Sequence, residues 1–516
     1  MSKRWNICAV GILVCGLSCA WAQDEPAQQS SGQTPEGQTQ QPVAAYGQDN
    51  APPPIMENPP ISGLDLPSLE PHAAPLSYMQ VRATVNESAD SNVALTAGTN
   101  SFNSVSRALG SLELQRLWSN YDLALDYVGG VGYYDVAGQG LKNLQQMDIN
   151  QKITWKRGEF SVRDGFSYLP EGNFGGAYGS LGSAGSQTLG SSTFGAFWGG
   201  QALGGLGTTP RILNVSLGEV EQYLSPKSVV TATGGYSFMH FYGNDVSGPT
   251  FIGSSEVTAQ GAYDRILSSH TQVGLLYGYQ GFDFTVLGTA FHSNVAEAMF
   301  GHRITGRMDL MLAAGPQVSF IDTQAAVCSD PTVPLLLCQF DGDTLTTATV
   351  RDKRVGVAAQ ARLRYQFPKV SLGLTYERAT TAGSGIFTGA QSDIVRFTAS
   401  RPLSRVWNAT FDIGYSHNVR IQPLTQAQVI ACTSSTQNPQ SACPANDATS
   451  YNDGFVGGSL HRQLGRTFHF FISYQVDELA FDRSFCGPTG TSCNRITNRQ
   501  VATFGLDWTP RPIRLD

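Results

Sequence analysis

Apolar and polar residues alternate along most of the chain, from about Ser77 to Trp508. In residues 468–476, FHFFISYQV, every second position is Phe, Phe, Ile, Tyr or Val, and the positions between them are His, Phe, Ser and Gln. Successive side chains of a β-strand point to opposite faces of the sheet. The pattern therefore predicts strands with one apolar face and one mostly polar face. The same alternation recurs in residues 121–127, 272–280, 407–416 and 502–508.

Short turn sequences join pairs of these segments, for example at residues 156–158 and 225–227, and they contain the Gly, Pro and Ser residues typical of β-hairpins. The connections between hairpins are mostly longer: 169–209, 243–252, 321–349, 419–449 and 479–495. We predict strands near 77–97, 101–116, 121–134, 143–155, 158–168, 210–223, 227–242, 253–266, 270–280, 284–303, 307–320, 350–367, 369–379, 389–402, 405–418, 450–463, 466–478 and 496–508. This order indicates an antiparallel up-and-down meander of roughly 16 to 18 strands.

Two architectures explain such alternation. A soluble sandwich, or a large secreted solenoid or adhesin, hides its apolar faces inside the protein, whereas a membrane barrel turns them toward lipid and keeps a polar interior. Three features favour the barrel. Many segments have about 10–14 residues, enough to cross a bilayer at a tilt. Aromatic residues lie near segment ends, as at Trp118, Trp155, Phe468 and Trp508, and the polar faces carry charges beside glycine.

We therefore predict an all-β chain that forms a closed antiparallel up-and-down transmembrane β-barrel, with Phe468, Phe470, Ile472 and Tyr474 directed toward lipid. A closed barrel has no unpaired edge, and hydrocarbon tolerates no other arrangement of a sheet.

The first residues have the features of a signal peptide. Lys3 and Arg4 precede an apolar stretch over residues 7–17, and Ala20-Trp21-Ala22 follows as a small-x-small cleavage site. We predict cleavage after Ala22; a lipidation site at Cys19 is the alternative. Residues 23–76 are rich in Gln, Pro, Ser and Gly and predict a disordered arm. The domain organisation is thus 1–22 signal peptide, 23–76 arm and 77–516 barrel.

Six cysteines remain after the signal peptide, and they form three closely spaced pairs within three of the long connections. The pairs are Cys328 with Cys338, Cys432 with Cys443, and Cys486 with Cys493. An even number at short spacing in a secreted chain predicts three disulfides that each close one loop. Metal binding is the alternative, but the chain has no CxxC and no histidine near the pairs. Because no short turn contains a cysteine, the cysteine loops are expected at one end of the barrel.

Composition narrows the function classes. Of 516 residues only 14% are charged, and the net charge of −7 disfavours a general nucleic-acid binder. The sequence contains neither HExxH nor GxSxG, and no GK[ST] follows its glycine-rich stretches. We therefore expect no enzyme activity, no cofactor and no metal site.

Charged residues at inward positions are the candidate functional groups. The basic set, on one predicted wall, is Arg354, Arg362, Arg364 and Arg396; the acidic set, on another part of the circumference, is Glu113, Asp122 and Asp126. Opposed rows of charge create a transverse field that sorts solutes in a narrow lumen, so we interpret these residues as pore-lining. The alternative is an ordinary solvated interior. The long connection 169–209 either constricts the lumen or extends outside as an exposed loop.

The chain resembles porin-like Gram-negative outer-membrane β-barrel proteins over residues 77–508. The resemblance rests on the signal peptide that precedes this region, on the alternation of short turns and long loops, and on the aromatic end of the last strand. The resemblance implies an outer-membrane location, with both termini, the arm and the short turns in the periplasm and the long loops outside the cell. It also implies contact with outer-membrane lipid and with the barrel-assembly machinery. Such proteins usually end on an aromatic residue, but here TPRPIRLD follows Trp508, so this assembly signal is displaced.

The implied function is passive diffusion of small polar solutes, and the sequence does not name the solute. A surface-exposed binding or adhesion barrel, and an export or uptake channel for a polymer such as a polysaccharide, are the alternatives. A TonB-type transporter is disfavoured because residues 23–76 could not form a folded plug. Assembly into a homo-oligomer stays open.

Overall fold

The computed structural model describes residues 77–92, 102–135, 140–169, 210–242, 252–284, 289–328, 345–367, 370–381, 383, 387–421, 449–482 and 496–515. No helix long and apolar enough to cross a membrane occurs among these residues. The strands are β1 (Tyr78–Asp90), β2 (Asn103–Leu117), β3 (Tyr121–Tyr134), β4 (Gly140–Trp155), β5 (Gly158–Leu169), β6 (Arg211–Ser225), β7 (Ser228–Phe241), β8 (Ser254–Ser268), β9 (Thr271–Phe284), β10 (Thr289–Thr305), β11 (Met308–Cys328), β12 (Leu345–Gln366), β13 (Ser371–Thr381), β14 (Ala390–Pro402), β15 (Trp407–Arg420), β16 (Ser450–Leu464), β17 (Phe468–Phe481), β18 (Ile496–Trp508) and β19 (Ile513–Arg514).

Each of the first seventeen strands pairs antiparallel with the next, and β1 also pairs with β18, so the sheet closes on itself. The closing register runs from Ala83 opposite Trp508 to Asp90 opposite Val501. After Trp508 the chain returns as β19, which pairs with Tyr78 and Met79 at the start of β1. The predicted closed up-and-down barrel is confirmed, with eighteen strands in the ring.

All eighteen predicted segments correspond to strands, and β3 and β18 have the predicted bounds. The prediction of a loop over residues 321–349 was wrong at both ends. β11 continues to Cys328, β12 begins at Leu345, and these two residues face each other in the register. The reason is that IDTQAAVC and LTTATV supply β-branched and small residues that keep the hairpin ladder paired.

The outer wall of the ring is apolar and the inner wall is polar. Val85, Leu275 and Phe504 expose 63%, 65% and 54% of their surface, because they point away from the barrel. Residues 468–476 have one exposed row and one buried row, as predicted. Ile472 and Tyr474 are about half exposed, whereas Phe471 and Ser473, in the alternate positions, are buried.

Polar atoms on the outer wall are paired with one another. Three tyrosine hydroxyls donate to amide oxygens on the neighbouring strand, which removes the cost of an unpaired polar group on an apolar surface. These bonds are Tyr277 to Asn294 at 2.9 Å, Tyr415 to Asn452 at 2.9 Å and Tyr474 to Gln500 at 3.0 Å.

The two ends of the barrel differ. At the turn end, short turns such as residues 156–157 and 306–307 join the strands, and four exposed aromatic residues lie close by. These are Trp118, Trp155, Phe468 and Trp508. The opposite loop end carries the connections between hairpins, of which 135–139, 285–288 and 382–389 are shorter than the rest.

Candidate functional site: the barrel lumen

One hairpin leaves the wall and enters the lumen at the loop end. The register between β12 and β13 stops at Ala359 opposite Arg378, although β13 continues to pair with β14 as far as Thr381 opposite Ala390. Ala379, Thr380 and Thr381 therefore pair with β14 and not with β12. We call residues 379–391 the crossing hairpin.

Glycines allow the crossing hairpin to pack against distant strands. Gly389 has a φ of +91°, and a Cβ there would lie 2.7 Å from the ring of Phe291 on β10. Gly383, at a φ of +80°, accepts a 3.0 Å hydrogen bond from the amide of Phe387, and a Cβ at this position would collide with the Phe387 carbonyl oxygen. Both positions favour glycine, because φ lies in the left-handed region and there is no room for a side chain.

Phe387, at the tip of the crossing hairpin, is fully buried. Its ring centroid lies 5.1 Å from that of Tyr451 on β16, and the Arg420 guanidinium lies 5.8 Å from it. With Gly389 against Phe291, the tip thereby joins two arcs of apolar residues at the loop end. This apolar layer comprises Leu213, Val215, Leu217, Met239, Phe241, Ile252, Phe282, Phe284, Phe291, Ile321, Phe387, Ala390, Ile421, Tyr451 and Leu479.

The predicted basic residues lie on the inner rows of β12 and β14, where neighbouring carboxylates form ion pairs with them. Arg364 Nε lies 3.2 Å from Asp309 Oδ1. Arg396 Nε lies 3.0 Å from Asp412 Oδ1, on the neighbouring strand β15. These carboxylates offset part of the positive charge of the wall, which the sequence analysis did not anticipate.

The other two basic residues differ in their surroundings. Arg362 lies opposite Met311 on the inner face of β12. Arg354 is further toward the loop end, where its side chain is 44% exposed and its Nε is 3.5 Å from Asp352. Their participation in solute selection stays a prediction.

The predicted acidic residues occupy neighbouring strands on the opposite side of the ring. Glu113 on β2 lies directly opposite Asp126 on β3, and Asp126 lies opposite Asp148 on β4. Asp122 faces Lys152, which forms a 2.5 Å ion pair with Glu159. Because β3 and β12 are nine strands apart in a ring of eighteen, the acidic and basic arcs face each other across the lumen. Like charges directly opposite on neighbouring strands destabilise a sheet, so this acidic row is costly to maintain.

Between the crossing hairpin and the wall of β8–β12 lies a cleft that the sequence analysis did not identify. Its volume is about 510 Å³, which includes space open to the lumen, and amides and carboxylates line it on consecutive strands. They are Gln260, Gln280, Glu297, Gln317, Gln360 and Glu377. Thr380 and Arg378 also line the cleft, and Arg378 Nη1 lies 3.5 Å from Asp393 Oδ1. The recurrence of Gln and Glu at inward positions of consecutive segments was the available sequence signal.

A second group of paired residues closes the ring on the inner face of β1 and β18. Arg499 Nε lies 2.8 Å from Asp90 Oδ1, and both side chains are 1% exposed. Thr84 donates to Asp507 over 2.6 Å, and the hydroxyls of Ser88 and Thr503 are 2.9 Å apart. We call this polar ladder the seam.

The proposed disulfides and the connection 169–209 lie outside the residues whose side chains the structure describes. Cys328 ends β11, and the backbone alone is described there. The pairing of Cys328, Cys338, Cys432, Cys443, Cys486 and Cys493 stays a prediction.

Known proteins resemble this chain in structure only. No family model and no curated protein matches its sequence. The outer membrane protein OpdK from Pseudomonas aeruginosa aligns with a TM-score of 0.38 and 9% identity, over 84% of this chain and 98% of its own. OccAB1 from Acinetobacter baumannii gives 0.37 and 9%, over 85% and 97%. The ferric-catecholate import receptor Fiu from E. coli K12 gives 0.39 and 8%, over 84% and 81%.

Proposed function

We propose that this chain is an outer-membrane channel for passive diffusion of small polar solutes. The observation that carries the proposal is the closed ring with an apolar outer wall and a polar inner wall. Lipid is the surrounding that makes an exposed apolar wall favourable, and water or a polar solute makes the charged interior favourable.

The proposed orientation places the turn end in the periplasm and the loop end outside the cell. Exposed basic residues beside the short turns, such as Lys156, Arg157 and Arg466, would then meet lipid phosphates. In this proposal residues 1–22 are removed as a signal peptide, residues 23–76 form a periplasmic arm, and the cysteine pairs close external loops. The barrel-assembly machinery would insert the chain, although β19 follows the aromatic end of β18.

The lumen suggests which solutes would pass. The crossing hairpin and the apolar layer narrow the loop end, so a passing solute must be small. Below them, the acidic and basic arcs face each other, so the proposed channel orients solutes that carry a dipole or separated charges.

Electrical recording of the purified protein in a planar lipid bilayer tests this function. Folding is first checked by heat-modifiable migration on a gel. We expect stepwise current from the folded protein, and none from a heat-unfolded sample.

A variant in which a short glycine linker replaces residues 383–388 sharpens the test. Since Phe387 would no longer join the two arcs of the apolar layer, we expect conductance to rise about twofold. Folded protein that inserts into the bilayer but carries no current, with or without the hairpin tip, would contradict the channel function.

A further inference from the structure

The cleft beneath the crossing hairpin contains buried acceptor oxygens without partners. Glu297 is 5% exposed and Gln317 is 2% exposed, and Glu297 Oε2 and Gln317 Oε1 accept no hydrogen bond from any described residue. A buried polar atom without a partner costs about 1–3 kcal/mol, and more when the group is charged. In a cleft open to the lumen, water or a bound solute can supply the donors for these two atoms.

The backbone and the neighbouring side chains fix these acceptors in place. Gln317 Nε2 donates to Ser293 Oγ over 2.9 Å, so the amide orientation leaves its oxygen directed elsewhere. Gly315 lets β10 approach closely, because a Cβ there would lie 1.7 Å from the Ala296 carbonyl oxygen. Glu297 is thereby held against β11, beside Gln317.

A donor that carries positive charge fits these acceptors best. Water or a hydroxyl group would supply donors but would leave the negative charge of the buried Glu297 carboxylate uncompensated. An ammonium group supplies three N–H donors and the opposite charge together.

An apolar patch adjoins the carboxylate. Leu276, directly opposite Glu297 in the register, belongs to a buried cluster with Met299 and Met311 on the next two strands. Within this cluster it is Leu276 that lines the cleft, together with Val295 on β10. The cleft thus offers an anionic acceptor beside a short hydrocarbon surface.

We propose that this cleft binds the primary ammonium group of a small alkylamine-bearing solute. The ammonium donates to Glu297 and to the Gln317 oxygen, and the first carbons of the chain contact Leu276 and Val295, which both line the cleft. The proposal deepens the channel function by naming a solute class, and it rests on that function only for the passage of the solute, not for its binding.

Calorimetric titration of the folded protein in detergent, with pentylammonium as the probe, tests the binding without requiring conduction. We expect saturable binding of pentylammonium and at least tenfold weaker binding of 1-pentanol, which has the same chain length but no charge. Potassium chloride at equal concentration should compete weakly, because K⁺ makes no contact with the apolar patch.

Variants locate the site. Glu297→Gln should weaken binding of pentylammonium at least tenfold, whereas Glu256→Gln, which alters another buried inward carboxylate outside the cleft, should leave it unchanged. Leu276→Ala should weaken pentylammonium more than methylammonium, because only the longer chain reaches the patch.

Equal binding of 1-pentanol and pentylammonium would overturn the proposal, and this comparison needs only the natural chain. Unchanged affinity in a folded Glu297→Gln variant would also overturn it. Current through the channel without pentylammonium binding would contradict the site and leave the channel function standing. Binding without current would contradict the channel function alone.

Discussion

The seam and the cleft are both built from buried polar side chains on the inner wall, but they differ in how these side chains are paired. At the seam, Asp90 meets Arg499 through several short contacts, and Thr84 meets Asp507. In the cleft, the Glu297 carboxylate adjoins Leu276 and has an oxygen with no partner among the described residues. The polar groups of the seam therefore pair with one another and close the ring, whereas we propose that those of the cleft bind a ligand.

Burial of a charge therefore has different consequences for stability at the seam and in the cleft. Removal of one partner of a buried ion pair is strongly destabilising, because the other charge stays buried and uncompensated. A buried charge without a partner already lowers stability, so its removal should stabilise the protein.

The largest effect is expected at the seam. Asp90→Ala leaves Arg499 buried without its carboxylate, and we expect the free energy of unfolding to fall by about 3–5 kcal/mol. Urea titration in detergent, followed by heat-modifiable migration, measures it. Arg351→Ala breaks the exposed pair with Asp322 and should cause no measurable change. Equal stability of Asp90→Ala and the natural chain would remove the distinction between seam and cleft.

The next effect distinguishes the two walls of a single strand. Leu363 lies on the outer wall of β12 between Leu310 and Leu374, and Leu363→Arg should cost about 1–2 kcal/mol because it places a charge in lipid between the midplane and the turn end. Gln360→Arg, three residues away on the inner wall, should cost much less. Unfolding in lipid vesicles compares the two variants, and equal losses would argue against a lipid-facing outer wall.

A smaller effect of opposite sign is expected in the cleft. Glu297→Gln removes a buried charge that no described residue compensates. The free energy of unfolding should therefore rise by about 1 kcal/mol. Glu297→Gln and Asp90→Ala, measured side by side in urea, should therefore shift stability in opposite directions. A loss of stability in Glu297→Gln would mean that the carboxylate has a partner comparable to Arg499.

The smallest effect concerns the basic arc. In the double variant Arg362→Glu and Arg364→Glu, negative charge faces the acidic arc, and we expect the cation-to-anion permeability ratio to rise about twofold. The reversal potential in a salt gradient measures this ratio. Arg401→Glu, an exposed change near the turn end, is the control. An unchanged reversal potential in the double variant would mean that these arginines do not face the ion path.

The architecture could be predicted because successive residues of a strand alternate between the two faces of the sheet, and this alternation is visible in the sequence. Ile472 and Phe471 differ in exposure although both are apolar, and only their alternation with polar residues indicates which one faces inward. The order of the strands followed from the short turns, since adjacent antiparallel strands need little connecting chain.

The cleft and the ion pairs could not be predicted in the same way. The pair of Arg396 with Asp412 depends on the register between β14 and β15, and alternation fixes faces but not register. The crossing hairpin depends on where the β12–β13 ladder ends, which no local pattern near Ala359 indicates. Glu297 and Gln317 come together through the register between β10 and β11, in which Val295 lies opposite Gln317.

The seam also has a consequence for how the barrel is built. Its partners are separated by 409 to 423 residues in sequence, whereas every other ladder in the ring joins consecutive strands. Local hairpins form early and distant contacts late, so β1 and β18 are expected to meet last. Until then the growing sheet presents two bare edges that can pair with another chain. A weakened seam should therefore increase aggregation during synthesis even where the finished barrel survives.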